Sequence, residues 1–269
     1  MKKSLFTLVS IILLLYACKD ENVINTPELI NTQSCQDHLT AENIFSDIGR
    51  IVEGGMQDNG QNKGCPNYIL IDSDSSDSGV LIIDFGDDDC LYNGKLRKGK
   101  INISYSGKYR DSSSVVTSSF DNYYVNGMLV QGERVITNQG TNNNGNLYFT
   151  IKVNNASIST HNGTINWNCD IIKEWTKGAN TYTDNSDDEY YIIGNANGNS
   201  TNGNDFTAII TDTLNIDYSC LPNCIIKNGI TEIYPQGYSK RIINYGETLC
   251  DCNVDIIIKE DKYPIVINN

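Results

Sequence analysis

Histidine is nearly missing from this chain. Only His38 and His161 occur among 269 residues. His38 falls in a helical stretch and His161 beside a turn glycine, and neither stands in a nucleophile–base pattern. Gly-x-Ser-x-Gly, His-Glu-x-x-His, phosphate-loop and dinucleotide fingerprints are missing as well. These gaps argue against hydrolase, zinc-protease and nucleotide-dependent chemistry, and the chain is expected to be non-enzymatic. Positive charge is also scarce. Twenty Lys and Arg stand against 33 Asp and Glu, a net charge of −13. Without a basic patch interleaved with aromatics, nucleic acid is not an expected partner. The acidic excess favours solubility and repels anionic lipid headgroups.

Long apolar runs are confined to the N-terminus. Lys2 and Lys3 precede a mostly apolar stretch from Leu5 to Leu15, which is too short for a spanning helix of about 20 apolar residues. It reads as a secretion signal. Leu15-Tyr16-Ala17-Cys18 resembles the bacterial lipobox, with Tyr16 bulkier than usual at its position. The resemblance implies removal of residues 1–17 and acylation of Cys18, so that outer-membrane lipid becomes a partner. Two or more acyl chains anchor a protein stably. Lys19-Asp20-Glu21 resembles the lipoprotein export signal of Bacteroidetes and implies display on the outer face of the outer membrane. Residues 18–34 read as a flexible tether.

About 250 residues remain, enough for a sizeable core. Nine cysteines become eight when Cys18 carries lipid, an even number in an oxidising compartment. Zinc ligation by Cys220, Cys224, Cys250 and Cys252 is the alternative to disulfides.

Residues 35–64 form a helical segment in this reading. Thr40 is placed as its cap, Ile44, Ile48, Ile51 and Val52 form a stripe, and Gly54-Gly55 ends it. The helix is expected to lie on the sheet as a lid. From residue 65 to 269 the period becomes two. Ile101, Ile103 and Tyr105 alternate with polar residues, as do Leu147 to Val153, Ile165 to Ile171 and Cys252 to Ile258. Asn-Gly pairs at 93, 126, 162, 197, 202 and 228 are read as hairpin turns. The expected fold is all-β, an antiparallel meander or sandwich-like sheet with internal pseudo-repeats and one short N-terminal helix. Asn- and Lys-rich outward faces argue against a transmembrane barrel.

Two echoes support a modular plan. Ile83-Asp84-Phe85-Gly86-x-x-x-Cys90 matches Ile243-Asn244-Tyr245-Gly246-x-x-x-Cys250, and Gly99-Lys100-Ile101-Asn102 matches Gly163-Thr164-Ile165-Asn166. The first suggests Cys65–Cys90 and Cys224–Cys250 bridges, each closing a loop of about 25 residues and contributing ~3 kcal/mol. Cys220–Cys252 would lie beside the second bridge, with Cys35–Cys169 as the remainder.

The run Ile83-Asp84-Phe85-Gly86, Cys90, Asn93-Gly94 and Arg97-Lys98-Gly99-Lys100-Ile101 is distinctive. With Phe120 to Gly127 and Val135 to Asn138, it resembles a group of Bacteroidetes outer-membrane lipoproteins over roughly residues 65–260. The resemblance implies a lipid-anchored β protein without an assigned reaction. The chain departs from the group at Cys169, Cys224 and Cys252, where no cysteine is expected.

Site chemistry has few candidates. Asp72, Asp74 and Asp77, Asp84 with Asp87 to Asp89, and Asp184 with Asp187 to Glu189 are acidic clusters. They read first as solvated turns, with calcium as the cation such oxygens would take. Trp167, in phase with Cys169, reads as core. Trp175 reads first as sheet packing; its alternative is a glycan platform with Tyr182 and Tyr190. Asp212-Thr213-Leu214 resembles a Bacteroidetes O-glycosylation site, with an unmodified strand as the alternative. The leading expectation is a surface lipoprotein with a structural or adhesion role, meeting an extracellular glycan or protein. A glycan-binding accessory lipoprotein of a nutrient-uptake system is the alternative.

Overall fold

A computed structural model describes residues 31–57, 64–71, 78–181, 184–247 and 249–267. Cys18, Lys19, Asp20, Glu21, Asp72, Asp74, Asp77 and Tyr182 lie outside these residues. One helix, α1 (Gln33–Gln57), precedes fourteen strands. These are β1 (Asn67–Ile71), β2 (Gly79–Asp84), β3 (Cys90–Tyr92), β4 (Lys95–Tyr105), β5 (Val115–Val125), β6 (Met128–Thr141) and β7 (Leu147–Thr160). Then follow β8 (Gly163–Lys177), β9 (Glu189–Asn199), β10 (Asp205–Asp217), β11 (Ile226–Pro235), β12 (Arg241–Glu247), β13 (Asn253–Ile258) and β14 (Asp261–Val266).

The sheet is an antiparallel meander. Each strand pairs with its sequence neighbour, except that β2 pairs with β4 and the short β3 sits off the path on β4. The alternation read from sequence is the cause: Ile101, Ile103, Ile165, Trp167, Val254 and Ile256 all point inward and are buried. Register shifts on every ladder from β4 to β12 add twist where a strand carries an extra residue.

The helix is not a lid. It lies in the concavity of the sheet and buries Cys35, Leu39, Ala41, Ile44, Phe45, Ile48, Ile51 and Val52 in one core with the strands. Its acidic residues tie it to strands far apart in the sheet. Asp37 accepts from the Thr201 backbone N–H and hydroxyl in the β9–β10 turn, at 2.8 and 3.0 Å. Glu42 accepts from the Tyr245 hydroxyl on β12 at 2.7 Å. Asp47 lies 2.8 Å from the Arg97 guanidinium on β4, and Glu53 lies 3.7 Å from the Lys173 ammonium on β8. Acids five or six residues apart point in different directions around a helix with 3.6 residues per turn. Glu53, three turns after Glu42, returns to its side, so the four acids define three directions, and a sheet wrapped around the helix meets them all.

The helix starts at Gln33, two residues inside the expected tether, and Thr40 is interior to it rather than its cap. The Thr40 hydroxyl donates back to the Gln36 carbonyl at 2.8 Å. Four Asn-Gly pairs mark hairpin connections, but Asn197-Gly198 lies within β9 and Asn228-Gly229 within β11. Space explains both. A Cβ on Gly198 would collide with the Asn166 carbonyl oxygen and sit 2.9 Å from the Phe206 ring. One on Gly229 would sit 2.7 Å from Leu214.

The first sequence echo is a repeated turn. The Asp84 carboxylate accepts from the Gly86 N–H, and the Asn244 amide oxygen accepts from the Gly246 N–H, each at 2.9 Å. Phe85 and Tyr245, between them, both point into the core. The cysteines follow the echo only once. Cys65 bridges Cys90 as expected. The other pairs are Cys220–Cys250 and Cys224–Cys252, not Cys224–Cys250 and Cys220–Cys252. Cys224 and Cys252 meet at the end of β14, where the Cys252 carbonyl accepts from Ile267 N–H at 2.8 Å. The two short segments therefore pair in the same order along the chain. Cys35 and Cys169 are buried free thiols, not a bridge. Cys35, in the first turn of α1, lies near Arg241 of β12, whereas Cys169 on β8 is held by the Val153 backbone of β7, so the two thiols face different strands.

Candidate functional site

The inner face of the sheet is narrow where α1 crosses it. One inward row runs Ser118, Arg134, Val153, Cys169, Ala196 and Ala208 across β5 to β10. Apart from Arg134 these side chains are small. They leave a cleft of about 620 Å³ between α1 and the strands. Small-molecule sites span about 300–1,000 Å³. Its walls are mostly apolar, Leu39 and Phe45 from the helix with Ile151, Val153, Trp167 and Leu214 from the sheet, and Arg50, Lys95, Lys173 and Asp251 add charge around them.

Two polar groups of α1 face this cleft on adjacent turns. The Trp167 indole N–H donates to His38 Nδ1 at 3.2 Å. An indole can only donate, so the imidazole proton sits on Nε2. That Nε2 is buried without a hydrogen-bond partner and lies 4.0 Å from Glu42 Oε1. Burial holds His38 down to about 4 and pushes Glu42 up to about 7, the Tyr245 hydrogen bond opposing the second shift. Glu42 keeps 19% side-chain exposure and lines the cleft. The pair therefore presents a neutral N–H donor beside a carboxyl that titrates near neutral pH.

Two turns further along, Arg134 of β6 also lines the cleft. Its guanidinium lies across Gly49 of α1, where a Cβ would stand 2.8 Å from Arg134 Nη2. Helix glycine costs about 1 kcal/mol against alanine, and here it makes room for the guanidinium. The neighbouring cations are paired: Arg50, Lys95 and Arg97 with Asp47, and Lys173 with Glu53. Arg134 is 6% exposed, with no carboxylate within ion-pair distance among the described residues.

In this arrangement Glu42 is the group poised near neutral pH, and His38 and Cys169 are not. A histidine held near 4 is a weak base at neutral pH. The Cys169 thiol is pushed up to about 12 by burial and stays protonated.

Trp175 packs within the sheet, as first read, and forms no glycan platform. Trp175 is 1% exposed, and its indole N–H donates to Asp188 at 3.1 Å. Tyr190 is also buried, 5.3 Å from Trp175 and donating to Asp188 at 2.9 Å. The strand phase that places Trp175 inward also places Lys173 inward, so a sugar ring has no face to stack on. Tyr182 lies outside the described residues. The acidic turns are engaged locally. Asp84 pairs with Lys100 at 3.2 Å, Asp184 accepts from Ser186 N–H, Asp187 from Thr181, and Glu189 pairs with Lys177. Among the described residues no three His, Cys, Asp or Glu side chains form a metal-sized cluster.

His38, Glu42 and Arg134 were not singled out from sequence as a site. The available signal was phase: Arg134 alternates in step with Val130 and Ile136, and Glu42 sits next to the buried Ala41 and Ile44 in a helix that carries a run of buried apolar residues. No protein-family profile, curated protein or solved structure matches the chain.

Proposed function

We propose that this is a lipid-anchored envelope protein that acts without catalysis and holds a small apolar ligand between α1 and the curled sheet. The observation that carries the reading is the 620 Å³ apolar cleft with a buried, unpartnered His38 Nε2 beside it. A core evolved only for packing closes such space, because voids forfeit dispersion contacts. The lipobox at Cys18 supports the anchor, and Lys19-Asp20-Glu21 supports display on the outer face.

The test is uptake of a neutral apolar dye, N-phenyl-1-naphthylamine, by the full chain carrying Cys18→Ser. Saturable emission that Ala208→Leu removes, with the fold retained by circular dichroism, supports the cleft as the site. Emission unchanged by the protein refutes the reading. A structural or adhesive role is the second reading. It is favoured by the three disulfides and by the many internal ties spent on rigidity.

A further inference from the structure

We infer that the cleft takes an anionic amphipath, a monocarboxylate with an apolar body, and that Arg134 reads its carboxylate. The inference rests on the cleft being a binding site and names its ligand class.

Charge is the first argument. The chain is strongly acidic overall, yet its buried acids do not outnumber its buried cations, Lys95, Arg97, Arg134, Lys173 and Arg241. Asp47 serves three cations and Glu53 serves Lys173, which leaves the Arg134 guanidinium as a buried positive charge without a carboxylate at ion-pair distance among the described residues. An unpaired buried charge is costly, and a bound anion would compensate it.

Geometry is the second. Arg134 lies in register with Val153, which lines the same cleft, and Ile151 is the next inward residue of β7. An anion on the guanidinium therefore leads directly into apolar wall. The planar fork of one arginine matches one carboxylate through two parallel hydrogen bonds. A phosphate dianion would need further free cations, and the neighbouring ones are already engaged by Asp47 and Glu53. His38 stands eleven residues along the helix from Gly49, about 16 Å away. It therefore belongs to the far end of the cleft and not to the anion site.

Trp167 lines the cleft and Trp175 does not, so the full chain with Cys18→Ser and Trp175→Phe reports on the site through one indole. The probes are 9,10-dibromostearic acid and its methyl ester, both bromine quenchers that differ in charge. The acid is expected to quench Trp167 saturably and to bind about tenfold or more tightly than the ester. Arg134→Met is expected to remove that preference and leave ester quenching unchanged, while Arg134→Lys retains part of it. Removing an unpaired buried charge should not prevent folding, and the ester response checks this in the same samples. Equal quenching by acid and ester, unaffected by Arg134→Met, overturns the anion site and leaves the cleft standing as a neutral site. Quenching by neither probe overturns both the anion site and the binding cleft.

Discussion

Asp47 and Arg97 form an ion pair between the middle of α1 and β4, with Asp47 Oδ2 and Arg97 Nη2 2.8 Å apart and both side chains almost fully buried. Arg97 also donates to the Tyr123 hydroxyl at 2.8 Å, which orients the guanidinium from the sheet side. The pair fixes the rotation of the helix inside the sheet, and therefore which helix face lines the cleft.

Breaking that pair is costly because the surviving charge stays buried. Arg97→Ala is expected to lower stability by about 3–5 kcal/mol. The double change Arg97→Met with Asp47→Leu should recover only part of that loss, since Lys95 and Arg50 then lose their carboxylate. Urea unfolding midpoints of the three variants check this. A single variant as stable as wild type would show that the helix is not held by this pair.

The His38–Glu42 pair predicts a pH signature. The folded protein keeps Glu42 protonated to about 7, against 4.5 for the ordinary group, so its contribution to stability falls as pH rises from 4.5 to 7. The folded protein holds His38 at about 4, against 6.5, so its contribution falls as pH drops from 6.5 to 4. The slopes oppose each other between 4.5 and 6.5. Relative to wild type, Glu42→Gln should make stability rise with pH across that window, by up to about 1.4 kcal/mol per pH unit. His38→Gln should make it fall. Parallel curves for both variants and wild type would refute the shifted pair.

The disulfide map is open to direct test. Non-reducing peptide mapping should link Cys65 to Cys90, Cys220 to Cys250 and Cys224 to Cys252. Cys35 and Cys169 should react with iodoacetamide only after unfolding, because both are buried and both are pushed up to about 12. A Cys224–Cys250 peptide, or rapid alkylation of the native protein, would contradict this.

Trp175→Ala should act on stability. Truncating a fully buried tryptophan costs about 3–5 kcal/mol, and here it also removes one of two side-chain donors to the Asp188 carboxyl. Thermal unfolding would show the loss; a variant with unchanged midpoint would mean that Trp175 is exposed after all.

Much of the sheet was legible because a strand with one buried face writes its period into the chain. Ile101, Ile103, Ile165 and Trp167 all point where their alternation places them. The site was harder to read because it breaks that rule. Lys95, Arg97, Arg134 and Lys173 occupy inward phases that a sheet facing only its own core would give to apolar residues. They are tolerated because a helix bearing Asp47 and Glu53 fills the concavity, a long-range fact no local window contains. The same helix misled the reading of Thr40, since acids on every side hide the usual amphipathic start. Cysteine order failed for a related reason: the echo captures the Asp84–Gly86 and Asn244–Gly246 turns, but the partner of Cys250 depends on how two distant segments run past each other.

Hydrogen exchange of α1 tests the central claim most directly. If the helix is an interior pillar that walls the cleft, amides from Leu39 to Val52 should exchange among the slowest in the protein, at the rate of global unfolding. Fast exchange of that segment while β7 to β10 stay protected would mean that the helix detaches as a lid, and the enclosed cleft would not exist.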